Sequence, residues 1–122
     1  MDIFELEQMF GAFKTMIEKN IHDDELLTLC LNYIRDIART KSCTRVGIGG
    51  GIQFILDCIS VEDHRGISWG GDHDVDILNT LRMLFFTSAN IKFFMELDGF
   101  KLVSKLLRNW KHDKKHKLPG SD

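Results

Sequence analysis

The stretch Asp74-Val-Asp-Ile-Leu-Asn-Thr-Leu-Arg-Met-Leu-Phe-Phe-Thr-Ser, Ala89-Asn-Ile-Lys-Phe-Phe-Met-Glu-Leu, Asp98-Gly-Phe and Lys101-Leu-Val-Ser-Lys-Leu-Leu reads as helix, turn, helix, turn, helix. Ile77, Leu78, Leu81, Leu84 and Phe85 recur three and four apart, which gathers them on one side of a helix, and that side must be buried. Asp98 and Gly99 supply a corner. Leu102, Val103, Leu106, Leu107 and Trp110 then stripe a last helix from Gly99 to about His112.

Working outward, the same parts occur once before. Asp2 is an N-cap for a helix reaching about Asn20, with Leu6, Met9, Phe10, Phe13, Met16 and Ile17 as its apolar stripe. Asp23 or Asp24 caps a second helix to about Thr40, striped by Leu26, Leu27, Cys30, Leu31, Ile34, Ile37 and Ala38. Lys41 to Gly51 fits one helical turn and a glycine corner, followed by a helix from Gly51 to Ser60. Val61 to His73, with Gly66, Trp69, Gly70 and Gly71, is the least regular segment; such a long connection is either mobile or functional.

The two halves superimpose in sequence. A shift of 48 pairs Gly51 with Gly99, Ile52 with Phe100, Phe54 with Leu102, Ile55 with Val103, Cys58 with Leu106 and Ile59 with Leu107. A shift of 47 pairs Cys30 with Ile77, Leu31 with Leu78, Ile34 with Leu81, Ile37 with Leu84 and Ala38 with Phe85. A helical period of this length is close to the roughly 40 to 47 residues of HEAT and armadillo units, which bury their faces against neighbouring units.

The run from Asn90 to Leu107 resembles the armadillo pattern of a short helix after Asn, a glycine corner and a second helix with apolar pairs. Gly50-Gly51-Ile52 resembles the same corner one unit earlier, and Asp74 to Phe85 resembles the long third helix. The resemblance covers about residues 24 to 107 and implies an all-α fold, a short right-handed armadillo-like stack of about five to seven helices. Armadillo proteins that clamp extended peptides carry an asparagine near the end of the third helix; Asp36 and Met83 stand at the matching positions, so that ladder is missing. Two other resemblances remain open. The long connection before Asp74, followed by Asn90-Ile-Lys and a glycine-marked helix, is similar to the armadillo-like GTPase-binding and inhibitory region of formins, which implies a small-GTPase or cytoskeletal partner. Phe94 to Val103, with Asn109-Trp110-Lys111 after it, is similar to the helical N-terminal domain of transcription elongation factor S, which implies a nuclear partner with a short disordered motif.

At 122 residues and 43% hydrophobic content, one domain is the default, placed at residues 1–112 with a disordered basic and polar tail at 113–122. Cys30, Cys43 and Cys58 are an odd set without a Cys-x-x-Cys pair, which suits a reducing compartment. The acidic N-terminus and the lack of a long apolar run point to a cytoplasmic or nuclear protein. Residues 1–100 carry 9 Lys/Arg against 16 Asp/Glu, and residues 101–122 carry 7 against 2. The basic patch is Lys101, Lys105, Arg108, Lys111, Lys114 and Lys115; it could meet phosphate, but these are also the residues that a terminal helix would expose.

No constellation commits the chain to catalysis, and no cofactor or metal is expected. Glu62-Asp63-His64-Arg65 and Asp72-His73-Asp74 gather carboxylates and histidines, but His64 and His73 are nine apart across glycines and lack the short ligand pair usual in structural zinc sites. Gly47-Ile-Gly-Gly-Gly has no Lys-Ser or Lys-Thr after it, which argues against a phosphate loop. Arg45 beside Cys43 would lower the thiol pKa, yet no histidine adjoins it as a base. The remaining expectation is a non-catalytic protein-protein interaction module. It would meet its partner through Asn32, Arg35, Asn79 and Arg82 on the two long helices and Trp69 in the connection, and a homodimer or larger assembly would form if the helical ends lack caps.

Overall fold

The computed structural model describes residues 2–19, 24–40, 42–64 and 72–112. Those residues form seven α-helices and no strand: α1 (Ile3–Lys19), α2 (Asp24–Thr40), α3 (Cys43–Val46), α4 (Ile52–His64), α5 (Asp72–Leu84), α6 (Ser88–Glu96) and α7 (Gly99–His112). The all-α expectation and the expected number of helices hold. A wide π-type turn, Gly47–Gly51, joins α3 to α4.

Two helices start at a side-chain cap. Asp2 caps α1 as expected, its carboxylate accepting the amide of Glu5 at 2.8 Å. Ser42 caps α3 through the amide of Arg45 at 3.2 Å. The two corners use opposite solutions to one backbone problem. Gly50 takes φ +141°, and a Cβ there would also lie 2.6 Å from the ring of Phe10, so only glycine fits. Forty-eight residues later the left-handed position falls on Asp98, at φ +56°, and not on Gly99. Gly99 is needed instead because a Cβ would overlap the ring of Phe94.

One boundary expectation is corrected. α4 does not stop at Ser60 but continues through His64, and α5 begins at Asp72. Val61 to His64 contain neither glycine nor proline, so nothing ends the helix there. The 13-residue connection thereby shortens to residues 65–71, which lie outside the described residues, as do Trp69 and the expected tail at 113–122.

The packing follows the apolar stripes. α4 lies between α1 and α7, and α2 packs along α5; α6 rests on α7 and on the glycine turn. Ile52, Phe54, Ile55, Leu56, Cys58 and Ile59 of α4 are all buried, the all-round burial that marks a central helix. Leu27, Cys30, Leu31, Ile34, Ile37 and Ala38 face inward from α2, while Ile77, Leu81 and Leu84 do so from α5. Leu78 and Phe85 are half-buried. Phe10, Phe13 and Phe54 join α1 to α4 by ring contacts with centroids 5.9 to 6.2 Å apart. No helix among the described residues is long and apolar enough to cross a membrane.

Candidate functional site

The seam between α2 and α5 contains the principal polar junction. Arg35, half-buried on α2, donates from Nη1 to the Asp76 carboxylate at 3.1 Å and to the Thr80 hydroxyl at 3.1 Å. Thr80 in turn donates a hydrogen bond to the carbonyl of Asp76 at 2.8 Å, so a fully buried hydroxyl both accepts and donates. The other Arg35 nitrogen, Nη2, donates to the side chain of Asn32 one turn away. A guanidinium suits this place because its planar fork can address two helices at once.

The seam sorts the residues expected to meet a partner. Arg35 is spent largely on holding α5, whereas Asn32, Asn79 and Arg82 are exposed. Asn32 and Asn79 occupy matched positions on the two packed helices, as do Arg35 and Arg82, each pair 47 residues apart. Asp36, at one missing-asparagine position, pairs on its own helix with Arg39; Met83, at the other, is half-buried. Trp69 lies outside the described residues. Lys101, Lys105 and Arg108 are exposed along α7. Lys111 lies in α7 with its side chain outside the described set, and Lys114 and Lys115 fall beyond it.

A second polar junction escaped the sequence reading. Asn90, fully buried near the start of α6, donates from Nδ2 to the carbonyls of Leu84 at 2.7 Å and Cys43 at 3.0 Å. One amide therefore ties α3, the end of α5 and α6 together. Its oxygen, and the hydroxyl of Thr87 just before α6, have no protein partner among the described residues. Asn at a helix start is an ordinary turn signal, so nothing in the sequence marks this residue as a buried hub.

The thiols are structural in character. Cys30 and Cys58 are buried and Cys43 is half-buried; none of the three is in a disulfide. Burial pushes the Cys43 thiol above its ordinary value, and the hydrogen bond from Asn90 only partly opposes that shift. The expected lowering by Arg45 is corrected: Arg45 is exposed, while the thiol points at the carbonyls of Met83 and Leu84, 3.7 and 3.6 Å away. Carbonyl oxygens favour S–H over thiolate, so Cys43 lacks the electropositive surroundings of a nucleophile.

A groove of about 200 Å³ runs between α1 and the glycine turn, floored by Phe10 and Phe54 and rimmed by Lys14 and Asp57 at 3.4 Å. Gln53 donates to the same carboxylate at 2.9 Å. Small-molecule sites usually enclose roughly 300 to 1,000 Å³, and this open cleft falls short of that. Among the described residues no group of three or more Cys, His, Asp or Glu side chains is placed to hold a metal. The acidic and histidine clusters around 62–64 and 72–74 lie on the end of α4 and the start of α5, with side chains outside the described set. The chain matches no protein-family model, no curated protein and no solved structure.

Proposed function

We propose that the chain is a non-catalytic helical module of armadillo-like type that binds another protein through the joint surface of α2 and α5. The observation that carries this reading is the seam itself. Two long helices lie side by side, fixed by Arg35 against Asp76 and Thr80, and expose Asn32 and Asn79 at matched positions with Arg82 beside them. Support for the stacked arrangement comes from the pairing of corresponding parts. α2 packs on α5 and α4 on α7, the helices that the internal repeat makes equivalent, and both corners turn at positive φ forty-eight residues apart. Helices that place polar side chains on a surface fixed from below give a partner a preorganised site at low entropic cost.

The test is affinity capture with the intact chain against Arg82→Glu and a double Asn32→Ala, Asn79→Ala variant. All three positions are exposed, so the helical circular dichroism signal and melting temperature should match those of the unaltered chain. A protein held by the unaltered chain should be retained at least tenfold less by Arg82→Glu, equivalent to about 1.4 kcal/mol. Equal retention by every variant would remove this surface from the account.

A further inference from the structure

The two ends of the helical stack differ in chemistry, and each leaves apolar residues uncovered. α4 is covered on both flanks, and its Ile52 and Ile59 are 0% and 1% exposed. The residues of α7 that match them in the repeat, Phe100 and Leu107, are 65% and 38% exposed. α7 thus presents, open, the edge that α4 buries.

At the other end the same comparison holds. α5 meets Arg35 of α2 through Asp76 and Thr80, and the matching residues of α2 are Leu29 and Tyr33, 66% and 43% exposed. Phe4 of α1 adds a further exposed ring at 66%. A leucine and a tyrosine one helical turn apart form an apolar ridge of the kind that helix packing covers.

Charge says what fits these edges. Along α7 the residues 99–112 include Lys101, Lys105, Arg108 and Lys111 and no acidic side chain. α1 with its cap and α2, which carry Phe4, Leu29 and Tyr33, hold seven Asp/Glu against four Lys/Arg over residues 2–19 and 24–40 and are net acidic, with the ring of Tyr33 set edge-on against Phe13. Lys114, Lys115 and Lys117 of the following segment share the sign of α7, which makes that segment a poor cover for it. The acidic, apolar α1–α2 end of another copy has the complementary sign and continues the succession α1, α4, α7 with the next α1.

We propose that the open edge of α7, centred on Phe100 and Leu107, is a docking surface for the α1–α2 end of a second copy of this chain. The contact is heterologous, joining two different surfaces, so it grows into a ring or an open filament instead of stopping at a two-fold dimer. The edge of α2 carries Leu29 where α5 carries Asp76, so no carboxylate repeats the internal junction there, and the association is weaker than the packing inside one chain. This inference rests on the stacked-unit reading, and the repeat brings Leu29 and Tyr33 of the next copy toward Arg82, the residue matched to Arg35, so the interface between copies adjoins the proposed partner surface at that residue.

Sedimentation velocity of the intact chain over a range of concentrations tests it. The expected result is an average mass that rises with concentration and falls on addition of salt, which screens the facing charges. Two variants then separate the ends: Phe100→Asp with Leu107→Asp blocks one, and Leu29→Asp with Tyr33→Asp blocks the other. All four sites are surface positions, and circular dichroism checks that both variants remain helical. Each variant alone should be monomeric, and an equal mixture should form a one-to-one complex that grows no further. The Asn32→Ala, Asn79→Ala variant should associate as the unaltered chain does, so that loss of partner capture and loss of self-association are separate readouts. A chain that stays monomeric throughout, blocked variants that still assemble, or a mixture that stays monomeric would each overturn the proposal. So would uptake of a single-stranded oligonucleotide by α7 of a chain that does not self-associate.

Discussion

Asn90 is fully buried and donates to two carbonyls from different helices, so its loss removes two buried hydrogen bonds, while the Leu84 carbonyl keeps the Cys43 thiol and the Cys43 carbonyl keeps the amide of Gly47. Each such bond contributes about 0.5 to 1.5 kcal/mol net. Asn90→Ala should therefore lower the unfolding free energy by about 1 to 3 kcal/mol in a urea titration, while Asn79→Ala, on the surface, should change it by less than about 0.5 kcal/mol. Similar values for the two would mean that Asn90 does not tie α3, α5 and α6. The thiols make a separate prediction. Cys30 and Cys43 are both raised above the ordinary value of 9.0 by burial. Their neutral forms are favoured in the folded state, so this stability is fully present below pH 9.0 and is lost as pH rises through the folded values. Stability measured from pH 8 to 10.5 should fall, and Cys30→Ala should be less stable throughout yet show a shallower alkaline slope. The burial of Asn90 and Thr80 was not legible in the sequence, because both are common surface residues and only their neighbours decide where their hydrogen bonds go.

Among the elements, helices were legible wherever a stripe persisted over several turns, as in α2 and α5, and where a cap stood at the start, as Asp2 does for α1. The end of α4 was not: Val61 to His64 carry no breaker, and the glycines beyond them drew the expected boundary too wide. Arg35 was visible as a polar residue on α2, but its partners lie 41 and 45 residues away and are set by packing. The corners supply a paired prediction. Asp98 holds a left-handed backbone where glycine would carry no steric penalty, so Asp98→Gly should stabilise the chain by about 0.5 to 1 kcal/mol. At Gly50 the left-handed backbone and the ring of Phe10 both oppose a side chain, so Gly50→Ala should destabilise by about 2 kcal/mol or more. Thermal melts of the two variants in one buffer compare them directly. Changes of the same sign would contradict the assigned corner geometry.

At the scale of the molecule, α2 and α5 expose Asn32, Asn79 and Arg82 beside the Arg35 junction, and α7 is basic where α1 and α2 are net acidic. The all-α class followed from periodicity and from the near absence of proline; Pro119 is the single one and lies past the helices. Of the polar residues that the helical spacing singles out on α2 and α5, Asn32, Asn79 and Arg82 lie exposed, whereas Arg35 braces the seam, a role set by packing and not by local sequence. The most direct test of the binding-module account is photo-cross-linking from position 79. A photoreactive phenylalanine analogue there, and as a control at exposed Lys92 on α6, samples the proposed surface and a surface outside it. In an extract of the source cells, position 79 should yield a discrete adduct with another protein that position 92 does not. No adduct from position 79, or the same adducts from both positions, would contradict the account.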